Sequence, residues 1–116
     1  MKVLTIKEPW ATLIIEGYKE YEFRSWKTKY RGKILIHAGM TLEKDMAERF
    51  SSYNLNYYKG EIIGEATLVD CILVDEEFNK KLHDINPFVY GRSNHVETYA
   101  WKLENKQKYS DDGEPG

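Results

Sequence analysis

The chain has a single cysteine, Cys71, so no internal disulfide can staple it, and with no apolar leader pattern near the N-terminus the expectation is a protein of the reducing cytoplasm. Long hydrophobic runs are missing as well. The longest apolar stretch is residues 11–15, counting its Thr, against the roughly 18 residues a membrane span requires, so no membrane association is expected. No P-loop and no G-x-G-x-x-G occurs, which removes the usual phosphate cradles of nucleotide cofactors. His37, Cys71, His83 and His95 share no zinc-ligand spacing, and His95-Val96-Glu97 lacks the P-C-x-x-C partner of a deaminase site, so neither metal nor cofactor is expected. Cys71 lies beside Ile72 and Leu73, where a thiol packs as a small hydrophobe. Repeats and linkers are absent too, and 116 residues suffice for one core: residues 1–109 read as one domain and 110–116 as a flexible acidic tail.

What is present is an ordinary globular balance, 41% hydrophobic and 31% charged, with a net charge of only -2. A generically basic nucleic-acid binder is disfavoured by that total. The charge is nevertheless polarised: residues 1–38 carry eight Lys/Arg against four Glu, and residues 39–116 carry nine against fifteen Asp/Glu. Residues 24–33 hold five cations, no anion and two aromatics, a stretch suited to meeting a polyanion.

Alternation in residues 2–6 predicts a first strand with Leu4 and Ile6 on one face. Pro9, the spacing of Trp10, Leu13 and Ile14, and Gly17 predict a two-turn helix over residues 9–17, with Trp10 in the core. A second strand follows over residues 20–24, with Tyr21 and Phe23 facing one way and Glu20, Glu22 and Arg24 the other. Residues 32–38 form a third. Thr41 is placed as the cap of a helix over residues 41–53 carrying Leu42, Met46 and Phe50 on one face. A long strand spans residues 61–74, where Gly64 and Ala66 allow sharp coiling or a bulge. A short helix over residues 75–83 and a strand over residues 98–104 with Trp101 inward complete the pattern. Uneven strands with a few short helices and no regular βαβ alternation indicate an α+β fold, a small mixed β-barrel with helices at its rim.

The most informative cluster is Lys19, Glu22 and Arg24. Glu22 and Arg24 lie side by side on one strand face, and Lys19 at the preceding turn reaches the same spot. Two readings stand: an ion network in which Glu22 neutralises two cations, or a site in which Lys19 and Arg24 contact a phosphate or base while Glu22 orients them or exchanges protons. The second reading places the cluster at a cleft whose rim holds Trp26, Lys27, Lys29 and Arg31, with Trp26 and Tyr30 as candidate stacking platforms. The tyrosines at 53, 57 and 58 suit a protein partner instead.

Gly17-x-Lys19-x-x-Glu22-x-Arg24 followed by Trp26, together with residues 30–39, 60–66, 69–71 and 99–105, resembles the ASCH domain family in order and spacing from about residue 3 to 105. The resemblance implies a PUA-like β-barrel with a cleft beside flanking helices, and RNA or a nucleoside-type ligand as the partner of a monomer or weak dimer. The candidate ligand-binding residues are Lys19, Glu22, Arg24, Trp26, Lys27, Lys29, Arg31 and His37. Some small members of the family are amidohydrolases that deacetylate N4-acetylcytidine, using the Lys and a Thr of G-x-K-T-x-T-x-R with a later Glu. Lys19 and Arg24 match that motif, but Glu20 and Glu22 occupy both Thr positions, so a hydroxyl nucleophile is missing and this activity is expected to be weak or absent. If the chain is an enzyme at all, Lys19 and Glu22 are its catalytic candidates, with His37 as a further assistant for RNA cleavage.

Overall fold

β1 (Lys2–Glu8) buries Leu4, Ile6 and Glu8 and exposes Val3 on the other face, as the period of two requires. The computed structural model describes residues 2–91 and 93–110, so the acidic tail expected at the C-terminus falls, from residue 111, outside the described residues. Helix α1 (Trp10–Ile15) follows at once, and five of its six residues are buried, because it is packed on every side. Gly17, at φ +91, turns the chain out of the helix, and the amides of Tyr18 and Lys19 both bond the Leu13 carbonyl. That turn delivers the chain into β2 (Tyr21–Arg24).

β3 (Gly32–Leu42), β4 (Glu61–Leu73) and β5 (Tyr99–Lys108) complete a five-stranded mixed sheet in the order β1-β3-β4-β5-β2. Only the β1/β3 pair is parallel. The sheet curls around α1 into a PUA-like half-barrel, which is the expected α+β fold. Two of its register shifts fall beside small residues of β4. Ile36 pairs with Gly64 just before β4 bulges at Ile63, and Ala66 sits inside the slip between β4 and β5. Curling brings the two edge strands, β1 and β2, toward each other without a ladder between them.

The helices sit on the other side of β2 and β5. α2 (Lys44–Arg49) runs into a 3-10 turn at Ser51–Tyr53, while α3 (Glu76–Ile85) and α4 (Pro87–Tyr90) follow β4. Asp75 caps α3 by accepting from the Phe78 amide, and Asn86, extended before Pro87, caps α4 through Val89. Ala11, Ile14 and Ile15 pack into the barrel core with Ile36, Leu68 and Leu103, whereas Leu13 joins Tyr21, Phe50, Leu82 and Tyr90 in a second core under the helices. No helix among the described residues is long and apolar enough to cross a membrane.

Two expected boundaries are corrected. Thr41 and Leu42 belong to β3, not to a helix, because β3 continues beyond Gly39 along β1 until Leu42 pairs with Glu8. Helix α2 therefore starts at Lys44 behind Glu43, with no side-chain cap, and Leu42 stays exposed. The last strand runs on to Lys108, past the expected end at 104, because Gln107 and Lys108 still pair with Glu65 and Gly64. Asn105, at φ +51, absorbs the bulge between them.

Gly64 has no room for a side chain: a Cβ there would lie 2.5 Å from the Gln107 carbonyl oxygen and 2.7 Å from Ile15 Cδ1. Gly64→Ala is expected to destabilise the fold by about 1–3 kcal/mol. Urea denaturation checks it, and an unchanged midpoint contradicts the tight contact between β5 and α1.

Candidate functional site

A cavity of about 540 Å³ opens where the sheet fails to close. β1 lines it with Thr5, Ile6 and Lys7, and β2 lines the facing side with Glu22, Phe23 and Arg24. The end of β3 contributes Gly39, Met40 and Thr41, followed by Glu43, and the helical side contributes Trp10, Val89, Ser93 and His95. Lys19 reaches it from the turn after α1.

The charged centre is a chain of three side chains. Lys19, only 4% exposed, places Nζ 2.9 Å from Glu22 Oε1, and Glu22 Oε2 lies 3.2 Å from Arg24 Nη2. The same Nη2 donates to the Thr5 carbonyl at 2.6 Å, joining β2 to β1 by a side chain where no backbone ladder exists. Arg24 Nε is buried and has no hydrogen-bond partner among the described residues. Aromatic faces complete the cation sites: Lys19 Nζ is 5.5 Å from the Trp10 ring centre and 5.1 Å from that of Phe23, and the Arg24 guanidinium is 5.6 Å from Trp26.

The walls are held from behind. Tyr90 accepts hydrogen bonds at its hydroxyl from the Glu20 and Tyr21 amides, which ties α4 to the start of β2, and burial pushes its ionisation up to about 12. Trp10 Nε1 donates to Glu43 Oε1 at 3.3 Å. The buried Glu8 accepts from the Thr12 amide and hydroxyl and from the Tyr58 amide, so the β1 to α1 connection and the loop before β4 share one anchor. The His95 ring stacks face to face on Phe23, with centres 3.8 Å apart and planes 8° from parallel. Burial and the nearby Lys19 charge drive its pKa down to about 4, so the imidazole is neutral at physiological pH.

Lys19, Glu22 and Arg24 thus come together at the cavity. The other candidates do not line it. Trp26 is 51% exposed and packs edge-on against Trp101 next to Arg24, outside the wall, while Lys27 and Lys29 are exposed on the loop that leads away toward β3. Arg31 folds back onto the carbonyls of its own turn, Thr28 and Tyr30, and faces Asp70 at 3.9 Å. His37 points out of the opposite face of β3, against the Thr5 hydroxyl at 3.2 Å. The tyrosine-rich loop is largely consumed by packing: Tyr53 lies against Tyr18, Phe50 and Phe88.

Trp10, expected in the core, does pack against both cores but also walls the cavity, and His95 and Glu43 escaped sequence reasoning. His95 meets Phe23 across more than seventy residues of chain, so no local pattern announces it.

The ASCH domain family model matches residues 4–111. The chain belongs to the ASCH domain family. Activating signal cointegrator 1 from Homo sapiens is 30% identical to this ASCH domain over 132 residues, and its Mus musculus counterpart 28% over 130 residues. Each alignment covers 89% of this chain but 22% of the relative, so the chain spans about a fifth of the length of these curated relatives. The crystal structure of a mutant ZmASCH protein from Zymomonas mobilis shares the fold at a TM-score of 0.53 and 19% identity, covering 98% of this chain and 73% of that one.

Because Glu22 compensates two cations, its loss is expected to cost more than that of either partner. Glu22→Gln is expected to destabilise by about 3 kcal/mol or more, leaving Lys19 buried and unpaired, whereas Lys19→Met, which keeps the Glu22 to Arg24 contact, is expected to cost less. Chemical denaturation of both variants checks the order, and equal losses contradict the shared role of Glu22.

Proposed function

We propose that this ASCH domain binds RNA through one nucleoside-sized unit, or a free nucleoside, in the cleft between β1 and β2. The observation that carries the reading is the convergence of Lys19, Glu22 and Arg24 on a 540 Å³ cavity walled by Trp10, Phe23 and His95. Its volume lies within the roughly 300–1,000 Å³ of small-molecule sites, and it mixes aromatic faces with a few convergent polar groups, as such sites do. Aromatic faces stack any base, and the cationic groups suit the phosphate or the acceptor edge of a base. A long duplex is the poorer fit, because the net charge is -2 and Arg31 and Lys33 are already paired with Asp70 and Glu65. Lys27 and Lys29 serve in this reading as auxiliary phosphate contacts for flanking nucleotides.

Binding, not turnover, is the activity the residues favour. The two positions that carry Thr in the amidohydrolase motif are Glu20 and Glu22 here, and the Glu22 carboxylate is held between Lys19 and Arg24. Glu22 is therefore not free to attack an acyl carbon or to prepare water for it, and Glu20 does not line the cavity.

Calorimetric titration with nucleosides and short single-stranded RNA tests the reading. Arg24→Gln and Trp10→Ala are expected to weaken binding about tenfold or more, a loss of about 1.4 kcal/mol. Neutralising Lys27 and Lys29 is expected to have a smaller effect while reducing the salt slope by about 0.7 per lost phosphate contact. Binding that survives the cavity variants but vanishes with the two lysines contradicts the cleft. In the same samples N4-acetylcytidine is expected to remain intact, and efficient acetate release lost in Lys19→Ala would overturn the non-catalytic assignment.

A further inference from the structure

We propose that the site continues beyond the cavity and takes a single-stranded dinucleotide unit: Arg24 holds the phosphate that links two consecutive nucleotides, and the exposed indole of Trp26 stacks the second base; this rests on the cleft reading above. Arg24 stands at the border of two surfaces. It lines the cavity beside Glu22, and its guanidinium lies 5.6 Å from the centre of the Trp26 ring, which is outside the cavity wall. Consecutive nucleotides share one phosphate, so a phosphate positioned at this border leaves one base on the cavity side and the next on the indole side.

Charge and donor count favour an anion at that point. A single carboxylate, Glu22, stands between Lys19 and Arg24, so the three side chains together keep one positive charge, which one phosphodiester matches. Both polar contacts of the guanidinium among the described residues, to Glu22 Oε2 and to the Thr5 carbonyl, run through Nη2. Of its other two nitrogens Nε is enclosed, and Nη1 is open with no partner among the described residues. The two contacts of Nη2 thus hold the fork in place before a ligand arrives, and Nη1 keeps its donors for the phosphate.

Trp26 is presented as a stacking platform needs to be. It is 51% exposed, yet it is anchored: its ring meets that of Trp101 at 89° with centres 5.9 Å apart, and its carbonyl accepts from Trp101 Nε1 at 3.3 Å. Stacking on it requires no sequence readout, since every base has a π-face. The chain that follows exposes Lys27 and Lys29, and no carboxylate occurs from Arg24 to Lys33. A large apolar ring beside Arg24 and two free lysines is complementary to a nucleotide, whose flat base and anionic backbone use both.

Calorimetric titration of the full chain with adenosine, the adenosine monophosphates phosphorylated on either side of the ribose, the dinucleotide ApA and ApA analogues lacking one base or the other separates the steps. The better monophosphate is expected to bind about tenfold more tightly than adenosine, and ApA about tenfold more tightly again. The second gain is expected to vanish when the outer base is missing and in Trp26→Leu, which keeps an apolar side chain on Trp101, and to remain in large part in Trp26→Phe. Rising salt is expected to erode the first gain and to spare the second, because stacking releases no counterions. An ApA affinity no greater than that of the better monophosphate, or a second gain that persists in a folded Trp26→Leu variant, overturns this inference and leaves the cleft reading intact. Failure of every compound to bind overturns the cleft reading and this one with it. The indole N–H resonance of Trp26, assigned by its loss in Trp26→Phe, supplies an independent readout on the unmodified chain: it is expected to move with ApA and much less with adenosine, and a resonance unmoved at saturating ApA overturns the stacking whatever the affinities.

Discussion

A single carboxylate, Glu22, holds two cations at the place where the barrel does not close. The sheet order leaves β1 and β2 as facing edges with no ladder between them. Arg24 spans the gap by donating to the Thr5 carbonyl, and it sits there against Glu22. Lys19 is almost fully buried, which a cation tolerates only with a partner of opposite charge and polarisable neighbours; Glu22, Trp10 and Phe23 supply these. The ion chain is therefore both the clasp of the half-barrel and the polar floor of its cavity. The structural and the functional reading of the cluster do not compete, because an unfinished seam has to be held open by groups that a ligand can also use.

That arrangement also explains why the basic stretch after β2 is less available than its sequence suggests. Arg24 is drawn into the seam, Arg31 caps its own turn, and Lys33 pairs with Glu65 on β4. Of five cations in ten residues, Lys27 and Lys29 remain as exposed charges at a distance from the cavity wall.

The fold was legible where local pattern and burial agree. Leu4 and Ile6 alternate with exposed neighbours, Ile34 and Ile36 with exposed or half-buried ones, and Gly17 ends α1 with a positive φ, so their elements fall close to where the residues put them. The pattern misled where a strand pairs without burying anything. Thr41 and Leu42 look like a helix start but are held in β3 by β1, and residues 105–108, polar throughout, are strand only because β4 runs beside them. In the site, the Lys19, Glu22 and Arg24 cluster was readable because it lies within six residues of one turn and strand. Trp10, Glu43 and His95 were not, since they meet the cluster only through the curl of the sheet and the return of the loop after α4. The neutral, stacked state of His95 depends on burial that no spacing encodes.

The central claim, that the seam and not the basic loop receives the ligand, is tested most directly by mapping backbone amide NMR shifts as a short single-stranded RNA is added. The account predicts the largest changes at residues 5–7, 19–24, 39–43 and 93–95, with smaller ones over residues 25–31. Changes confined to residues 25–33, with the amides around Lys19, Phe23 and His95 unmoved, would contradict it.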